Sequence, residues 1–228
     1  MAKLGRAGTG LLGMVGAGLL SAPAVAEITK SHAQGFIVRH EVVVEADPKQ
    51  AWLALISPDK WWRKEHTWSG DSANLSIRPS AGGCFCERIP EVDEPGRFTL
   101  EGSVEHMRVV QAYPEAALRM IGGLGPLQSE PVTGVLTVAL STADTGTRIV
   151  WEYNVAGYMR YEVPVIAKSV DGVIGLQAAA LADLLGPVAG LNAAPARQPM
   201  PETLPDPAPV SEGTAIKVED AFGDLAGD

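Results

Sequence analysis

A succession of short strand-like segments followed by one long helix constrains the fold of this 228-residue chain most strongly. Apolar and polar residues alternate between residues 36 and 45, and six further strand-like segments follow between residues 73 and 158, separated by turn-forming residues. The chain then shows helical spacing of apolar residues from Pro164 to Gly186, with proline at the start and glycine at the end. An antiparallel sheet with one face to bury needs a cover, and this helix is the natural one.

Two short helices are predicted between the first strand and the rest. Asp47-Pro48 provides the cap and first turn of one helix, and Ser57-Pro58 begins a second that leads into Trp61. The predicted order is therefore one strand, two short helices, six strands and one long helix, an α+β arrangement. Because a curved sheet around a single helix cannot close completely at the ends of the helix, we expect an internal cavity there.

Both ends of the chain are predicted to lie outside the folded domain, which spans residues 27–186. Residues 1–26 contain Lys3 and Arg6, a short apolar run and a small-residue cleavage site at Ala24–Ala26, the pattern of a secretory signal peptide. The apolar run is too short for a transmembrane helix, so no stable membrane insertion is expected. Residues 187–228 are rich in proline and end in acidic residues, which predicts a disordered tail and a candidate docking segment for a protein partner.

Charge and cysteine content exclude several classes of function. The formal net charge is −9, and it becomes −11 once Lys3 and Arg6 leave with the signal peptide. An acidic protein without a basic stripe is a poor candidate for binding nucleic acid. Its two cysteines rule out a disulfide framework, so the fold must depend on a hydrophobic core. No cysteine follows the cleavage site for lipid attachment, and the predicted location is therefore the periplasm.

Four stretches together resemble a known family: ADPKQAWLALISPDKWW, PSAGGCFCE, LEGSVEHMRVVQAYPEAALRM and VDGVIGLQAAALADLL. Their order is similar to that of the START-like superfamily, also called SRPBCC, and most similar to its activator-of-heat-shock-ATPase-like, or polyketide cyclase-like, branch. The resemblance covers about residues 36–186. It implies a helix-grip fold, in which a curved seven-stranded antiparallel sheet surrounds a long C-terminal helix and two short helices follow strand 1.

The resemblance also implies a range of functions. Members enclose an apolar cavity that binds lipids, hormones, polyketides or other hydrophobic small molecules, and some catalyse cyclisation or hydrolysis there. The protein after which the branch is named stimulates a chaperone ATPase. An exported protein would not meet a cytosolic chaperone, so that role is not expected here.

The stretch SPDKWWRKEHTWSG concentrates aromatic surface near the expected mouth of the cavity. Trp61 and Trp62 are predicted to plug the core beneath the short helices, whereas Trp68 is a candidate for contact with a ligand. His66 and Lys64 are placed at the rim, and His66 is also a candidate acid or base.

Strand alternation in GCFCERI puts Glu87 on the same face as Phe85, so Glu87 points either into the cavity or, if the preceding Gly-Gly turn bulges the strand, into solvent. Inside the cavity, burial would raise its pKa and make it a polar anchor or an acid.

Cys84 and Cys86 share the opposite face of the same strand. Residues two apart on a strand are about 6.5 Å apart at Cα, near the upper limit for a disulfide. Two thiols are therefore favoured over a disulfide, and the pair alone is a weak metal signal.

The remaining candidates lie on the last strands and on the helix. Trp151 and Tyr153 share a face of their strand and could line the cavity, although core packing explains Trp151 equally well. Tyr153 and Gln177 each place a polar group on a buried face and so need a partner: each other, water or ligand. Arg119 could meet Glu87 or Glu101 but is by default a surface residue. His40 falls on the apolar face of its strand, where a histidine with a core partner is expected.

These observations predict an exported protein that binds a hydrophobic small molecule in an internal cavity. Trp68, Glu87, Arg119, Trp151, Tyr153 and Gln177 are the candidate ligand-binding residues. The alternative is a cyclase- or hydrolase-type enzyme that uses Glu87 with Tyr153 or His66 as acid and base. The sequence contains no nucleophile motif, no phosphate-binding loop and no metalloprotease motif, and it predicts no cofactor and no metal.

Overall fold

The computed structural model describes residues 27–188, which form an antiparallel sheet covered by one long helix. The strands are β1 (Glu27–His32), β2 (Gly35–Val44), β3 (Leu75–Ile77), β4 (Cys84–Ile89), β5 (Val92–Glu94), β6 (Arg97–Thr99), β7 (Gly102–Tyr113), β8 (Ala117–Ile121), β9 (Val132–Thr142) and β10 (Thr147–Gly157). The α-helices are α1 (Pro48–Leu55) and α2 (Val163–Leu185). Short 3-10 helices span Pro58–Lys60, Lys64–His66, Ser72–Asn74 and Gly125–Ser129.

The main sheet has eight strands in the order β1-β2-β10-β9-β8-β7-β4-β3, and each neighbouring pair is antiparallel. Strands β5 and β6 form a separate two-stranded hairpin. The order places β2 beside β10 although most of the domain separates them in sequence. This arrangement, with α2 across the sheet, confirms the predicted helix-grip fold. The extra strand is β1, whose sequence EITKSH alternates too weakly to predict a strand.

Helix α1 begins where its cap was predicted. The Asp47 side chain accepts a hydrogen bond from the Gln50 backbone N–H at 2.8 Å, and the Gln50 side chain accepts one from the Asp47 backbone N–H. This reciprocal capping satisfies two N–H groups that the first helical turn leaves without partners. Ala51, Trp52 and Leu55 of α1 are buried against the core.

Helix α2 packs its apolar face against β2, β1 and α1. Its buried residues follow the helical repeat: Ile166, Ala167, Val170, Asp171, Ile174, Gln177, Ala178, Leu181 and Ala182. Its length and composition would also suit a membrane span, but this buried face is accounted for by the sheet beneath it. After the helix the chain returns to β2, where the Val188 N–H donates to Val43 O at 2.9 Å. The first two residues of the predicted tail therefore belong to the fold.

The predicted signal peptide, residues 1–26, and the rest of the predicted tail, residues 189–228, lie outside the described residues. Export and partner docking through the tail remain predictions.

A disulfide joins Cys84 to Cys86 on β4, so the expectation of two thiols was wrong. The two Cα atoms are 5.3 Å apart, closer than the regular strand spacing on which that expectation was based. The partner strand explains part of the difference. The pairing of β4 with β7 shifts register between Phe85 and Cys86, so β4 is not a regular strand at this point.

A buried histidine–aspartate pair connects β2 to α2, as expected for a histidine with a core partner. His40 Nε2 is 2.9 Å from Asp171 Oδ1, and both side chains are more than nine-tenths buried. Gly175 permits this contact, because a Cβ atom at this position would lie 2.7 Å from Cε1 of His40. Gly172, one turn earlier, is exposed and has open space around it.

The two helix glycines should therefore respond in opposite directions to alanine. Gly172→Ala should raise the free energy of unfolding by roughly 0.5–1 kcal/mol, because alanine has the higher helix propensity. Gly175→Ala should lower it by about 1 kcal/mol, because the added methyl group collides with a ring that is held by Asp171. Urea denaturation of the two variants and the parent measures both changes. Equal stabilisation by both substitutions would mean that His40 moves without cost.

Candidate functional site

A cavity of about 350 Å³ lies between α2 and the tryptophan-containing loop. The helix contributes its apolar side chains, and the loop contributes Trp62, His66 and Trp68. A second wall comes from His106 on β7 and from the loop at residues 124–126. The lining is Trp62, Glu65, His66, Thr67, Trp68, His106, Leu124, Gly125, Pro126, Ile166, Ser169, Val170, Val173 and Ile174. Most of this surface is apolar, as in pockets for hydrophobic ligands.

The three tryptophans of the loop have different positions. Trp61 is buried, packs edge-on against Trp151 at a ring distance of 5.8 Å, and donates its indole N–H to Ala54 O. Trp62 is also buried and packs against Phe85 at 5.1 Å, but it lines the cavity as well. Trp68 lines the cavity while 60% of its side chain remains exposed. Trp61 therefore fills the core beneath the short helices, as predicted, whereas Trp62 both fills the core and lines the cavity.

Glu87 connects this loop to the sheet. Its carboxylate is fully buried on the inner face of β4 beside Phe85. It accepts hydrogen bonds from the backbone N–H groups of Trp68 and Ser69, the former at 3.0 Å. Its Oε2 is also 2.8 Å from Nε2 of His106. One carboxylate thus fixes two loop residues and one cavity-lining histidine.

The pKa of Glu87 is lowered, contrary to the expectation that it would be raised. Burial by itself raises the pKa of this carboxyl, but hydrogen bonds from Ser69, Trp68 and His106 outweigh burial and bring the pKa below its usual value. Glu87 is therefore ionised at neutral pH. It suits the role of a hydrogen-bond acceptor rather than that of a proton donor.

His106 lines the cavity, and the sequence analysis did not single it out. Along β7 both His106 and Met107 are buried, which breaks the alternation of inward and outward residues. The break occurs because Met107 pairs with Phe85 and Glu105 pairs with Cys86, leaving His106 as the extra residue of a bulge. A signal was present in the sequence: the apolar residues of GSVEHMRVV change parity between Val104 and Met107.

Gln177 reaches the loop from α2 and positions His66. Its Oε1 accepts a hydrogen bond from the Arg63 backbone N–H at 3.0 Å, and its Nε2 lies 2.8 Å from His66 Nδ1. The buried amide thus has protein partners, although Tyr153 is not one of them. Gln177 holds a cavity-lining side chain without lining the cavity itself.

The loop that closes the other side of the mouth is held by an ion pair. Glu130 accepts hydrogen bonds from the Arg160 guanidinium, at 2.6 and 2.9 Å, and from the Arg160 backbone N–H at 2.8 Å. The guanidinium lowers the pKa of the Glu130 carboxyl. Gln128 on the same loop accepts the indole N–H of Trp68 at 3.0 Å. The exposed tryptophan is therefore fixed by a polar contact at its rim.

Five of the six residues predicted to contact a ligand do not line the cavity. Glu87 and Gln177 hold side chains that do, and the other three lie elsewhere. Tyr153 is buried in the sheet, where its hydroxyl donates to Gly122 O at 2.9 Å and accepts from the Leu124 N–H at 3.1 Å. Burial raises its pKa, so its hydroxyl does not act as an acid or base at neutral pH. Trp151 packs in the core against Trp61, and its indole N–H has no acceptor among the described residues. Arg119 is exposed and donates to Thr137 Oγ1 rather than to a carboxylate.

The described residues contain no group of three or more His, Cys, Asp or Glu side chains that could hold a metal ion.

No family model matches the sequence, and no curated protein matches it. Among solved structures, the chain is similar to protein MLL2253 from Mesorhizobium loti at 17% identity and a TM-score of 0.44, over 65% of this chain and 96% of that one. It is similar to the Aha1 dimer from Colwellia psychrerythraea at 15% identity and a TM-score of 0.40, over 65% and 95%. It is also similar to CalU16 from Micromonospora echinospora at 14% identity and a TM-score of 0.40, over 66% and 73%. With all three scores below 0.5, the helix-grip assignment rests on the strand order and helix placement.

Replacing Glu87 by glutamine should destabilise the protein and loosen the loop. The Glu87→Gln side chain has one acceptor oxygen for three donors, and its amide N–H₂ meets backbone N–H groups that can only donate. We expect the free energy of unfolding to fall by about 3 kcal/mol and the amides of Trp68 and Ser69 to exchange with solvent faster. Urea denaturation and hydrogen exchange measure these effects, and Glu94→Gln on exposed β5 is the matched control.

The effect should also depend on pH. Because the pKa of Glu87 is lower in the folded state, its carboxylate adds stability that is fully present above the unfolded pKa, near 4.3, and is lost as pH falls through the folded pKa. The stability difference between the parent and Glu87→Gln should therefore shrink below about pH 4. A difference that stays constant down to pH 2 would show that the charge of Glu87 contributes nothing.

Proposed function

We propose that this protein is exported and binds a hydrophobic small molecule in the cavity beneath α2. The observation that carries the proposal is the cavity itself, which is lined mainly by apolar helix residues and aromatic rings and exposes little polar surface. Apolar walls of this kind favour an apolar ligand, because binding removes apolar surface of both partners from water.

Export is supported by two observations. The first 26 residues have the composition of a signal peptide. The disulfide between Cys84 and Cys86 fits an oxidising compartment such as the periplasm.

A cavity-filling substitution tests the binding role. Val173 lines the cavity from α2, whereas Leu176, three residues later, is 46% exposed and does not line it. Val173→Trp should weaken binding of the apolar fluorescent probe N-phenyl-1-naphthylamine at least about tenfold, a loss of roughly 1.4 kcal/mol, because the indole occupies the volume that the probe needs. Leu176→Trp adds the same group at an exposed helix position outside the cavity lining and should leave the affinity unchanged.

The experiment has two contradicting outcomes. If the parent protein does not enhance the probe's fluorescence, or if both variants bind the probe like the parent, the cavity is not the binding site. Export is tested separately by fractionating cells that express the full chain: a periplasmic protein beginning at Glu27 would support export, and a cytoplasmic protein with an intact Met1 would contradict it.

Acid–base catalysis of the cyclase or hydrolase type is a second candidate function, and one observation favours it. His106 lines the cavity while a buried carboxylate holds its other ring nitrogen, the arrangement that orients a histidine as a general base. Glu87 would then act through His106 rather than directly, and the partner acid would be His66, since Tyr153 lies away from the cavity.

Ring opening of 5-nitrobenzisoxazole, which requires only that a base remove one proton from carbon, tests this candidate. A base in an apolar cavity should accelerate the reaction, and His106→Phe should reduce the rate by about 100-fold or more. Equal rates for the parent and His106→Phe would remove catalysis by this histidine while leaving the binding role intact.

A further inference from the structure

We propose that the ligand is a neutral, mainly apolar molecule that carries a hydroxyl group, held by His106 as hydrogen-bond acceptor and by His66 as donor. This inference rests on the proposed binding function and adds the chemistry of the ligand's polar end.

The hydrogen bond to Glu87 determines which ring nitrogen of His106 carries a hydrogen. The two backbone N–H groups that contact this carboxylate can only donate, so Glu87 is ionised and acts as an acceptor for all three of its partners. Nε2 of His106 must therefore carry a hydrogen. In the neutral imidazole the remaining nitrogen, Nδ1, is then an acceptor, and it has no hydrogen-bond partner among the described residues. His106 thus offers the cavity an acceptor.

The hydrogen bonds of Gln177 determine, in the same way, which ring nitrogen of His66 carries the hydrogen. The Arg63 backbone N–H can only donate, so it fixes Oε1 of the amide on its own side. The amide nitrogen then faces Nδ1 of His66, and because it can only donate, Nδ1 must accept. The ring hydrogen lies on Nε2, which contacts no acceptor in residues 27–188. His66 thus offers the cavity a donor.

Apart from the two histidines, the side-chain donors of the lining are already engaged within the protein. Four lining side chains carry a hydrogen-bond donor, and each already donates to a protein oxygen: Trp62, Thr67, Trp68 and Ser169. The remaining polar residue, Glu65, is an exposed carboxylate at the edge of the cavity. Its negative charge disfavours an anionic ligand.

The donor on His66 and the acceptor on His106 together match a hydroxyl group, which can both donate and accept. An ether or a ketone can only accept, so it would leave Nδ1 of His106 without a partner. A carboxylate would bring two acceptors to the same nitrogen and a charge close to Glu65. The chemistry therefore selects a neutral hydroxyl compound over its ether and its acid.

Three probes of similar length separate these cases: 1-decanol, its isomer 1-methoxynonane, and decanoate. Each is titrated against the parent protein loaded with N-phenyl-1-naphthylamine, and displacement of this dye gives the affinity. We expect 1-decanol to bind about tenfold more tightly than the ether, as one additional hydrogen bond provides, and decanoate to bind most weakly. This ranking needs no substitution and so does not depend on whether a variant folds.

Variants then assign the selectivity to the two histidines. His106→Phe and His66→Phe should each reduce the preference for 1-decanol over the ether to threefold or less on our estimate. Gln177→Leu should also reduce this preference to threefold or less, because it removes the hydrogen bond that orients His66. His32→Gln, which changes an exposed histidine outside the cavity lining, should keep the full preference.

The other outcomes of the titrations separate failure of this inference from failure of the proposed function. Equal binding of the alcohol and the ether would overturn this inference and leave the binding function standing. Tightest binding of decanoate would also overturn it, since the histidines would then form an anion site. A protein that binds neither the dye nor any of the three probes would contradict the proposed function itself.

Discussion

The buried carboxylate of Glu87 is the contact on which the rest of the site depends. It connects the loop after α1 to strand β4 and to the bulge on the neighbouring strand β7. The cost of desolvating the charge is offset because it accepts three N–H donors in a site closed to water. Removal of any one donor leaves part of that cost uncompensated, and so the loop, the bulge and His106 are coupled energetically.

Helix α2 holds the loop after α1 from the opposite side of the cavity. Its apolar face supplies the cover that the sheet requires, and Gln177 provides one polar contact to the loop at Arg63 and His66. Together with the Glu87 contact, it holds the loop at two places separated by only a few residues. Both contacts fix the walls of the cavity within the protein itself, and such preorganisation would lower the entropic cost of the proposed binding.

The sequence predicted the parts of this structure that follow from local rules. Alternation in β2, the cap at Asp47 and the helical stripe of α2 depend only on nearby residues, and all three are confirmed. The inward position of Glu87 also followed from alternation. Its lowered pKa did not, because the donors that lower it come from a loop 18 and 19 residues away and from the bulge on β7. His106 was missed because a bulge cancels the alternation rule at that residue.

The charge of Glu87 is explained by the need to hold particular atoms of the loop in place. An apolar side chain here could cover the core, but it would leave two loop N–H groups and His106 without their acceptor, and removing one partner of a buried ionic group is destabilising. What an apolar residue cannot do is determine which loop atoms it contacts, since dispersion has no direction. A carboxylate accepts only from donors at defined positions, and here those donors are two consecutive backbone N–H groups and one imidazole. We infer that Glu87 contributes geometry as well as stability, and that this geometry sets the positions of His106 and Trp68 in the cavity lining.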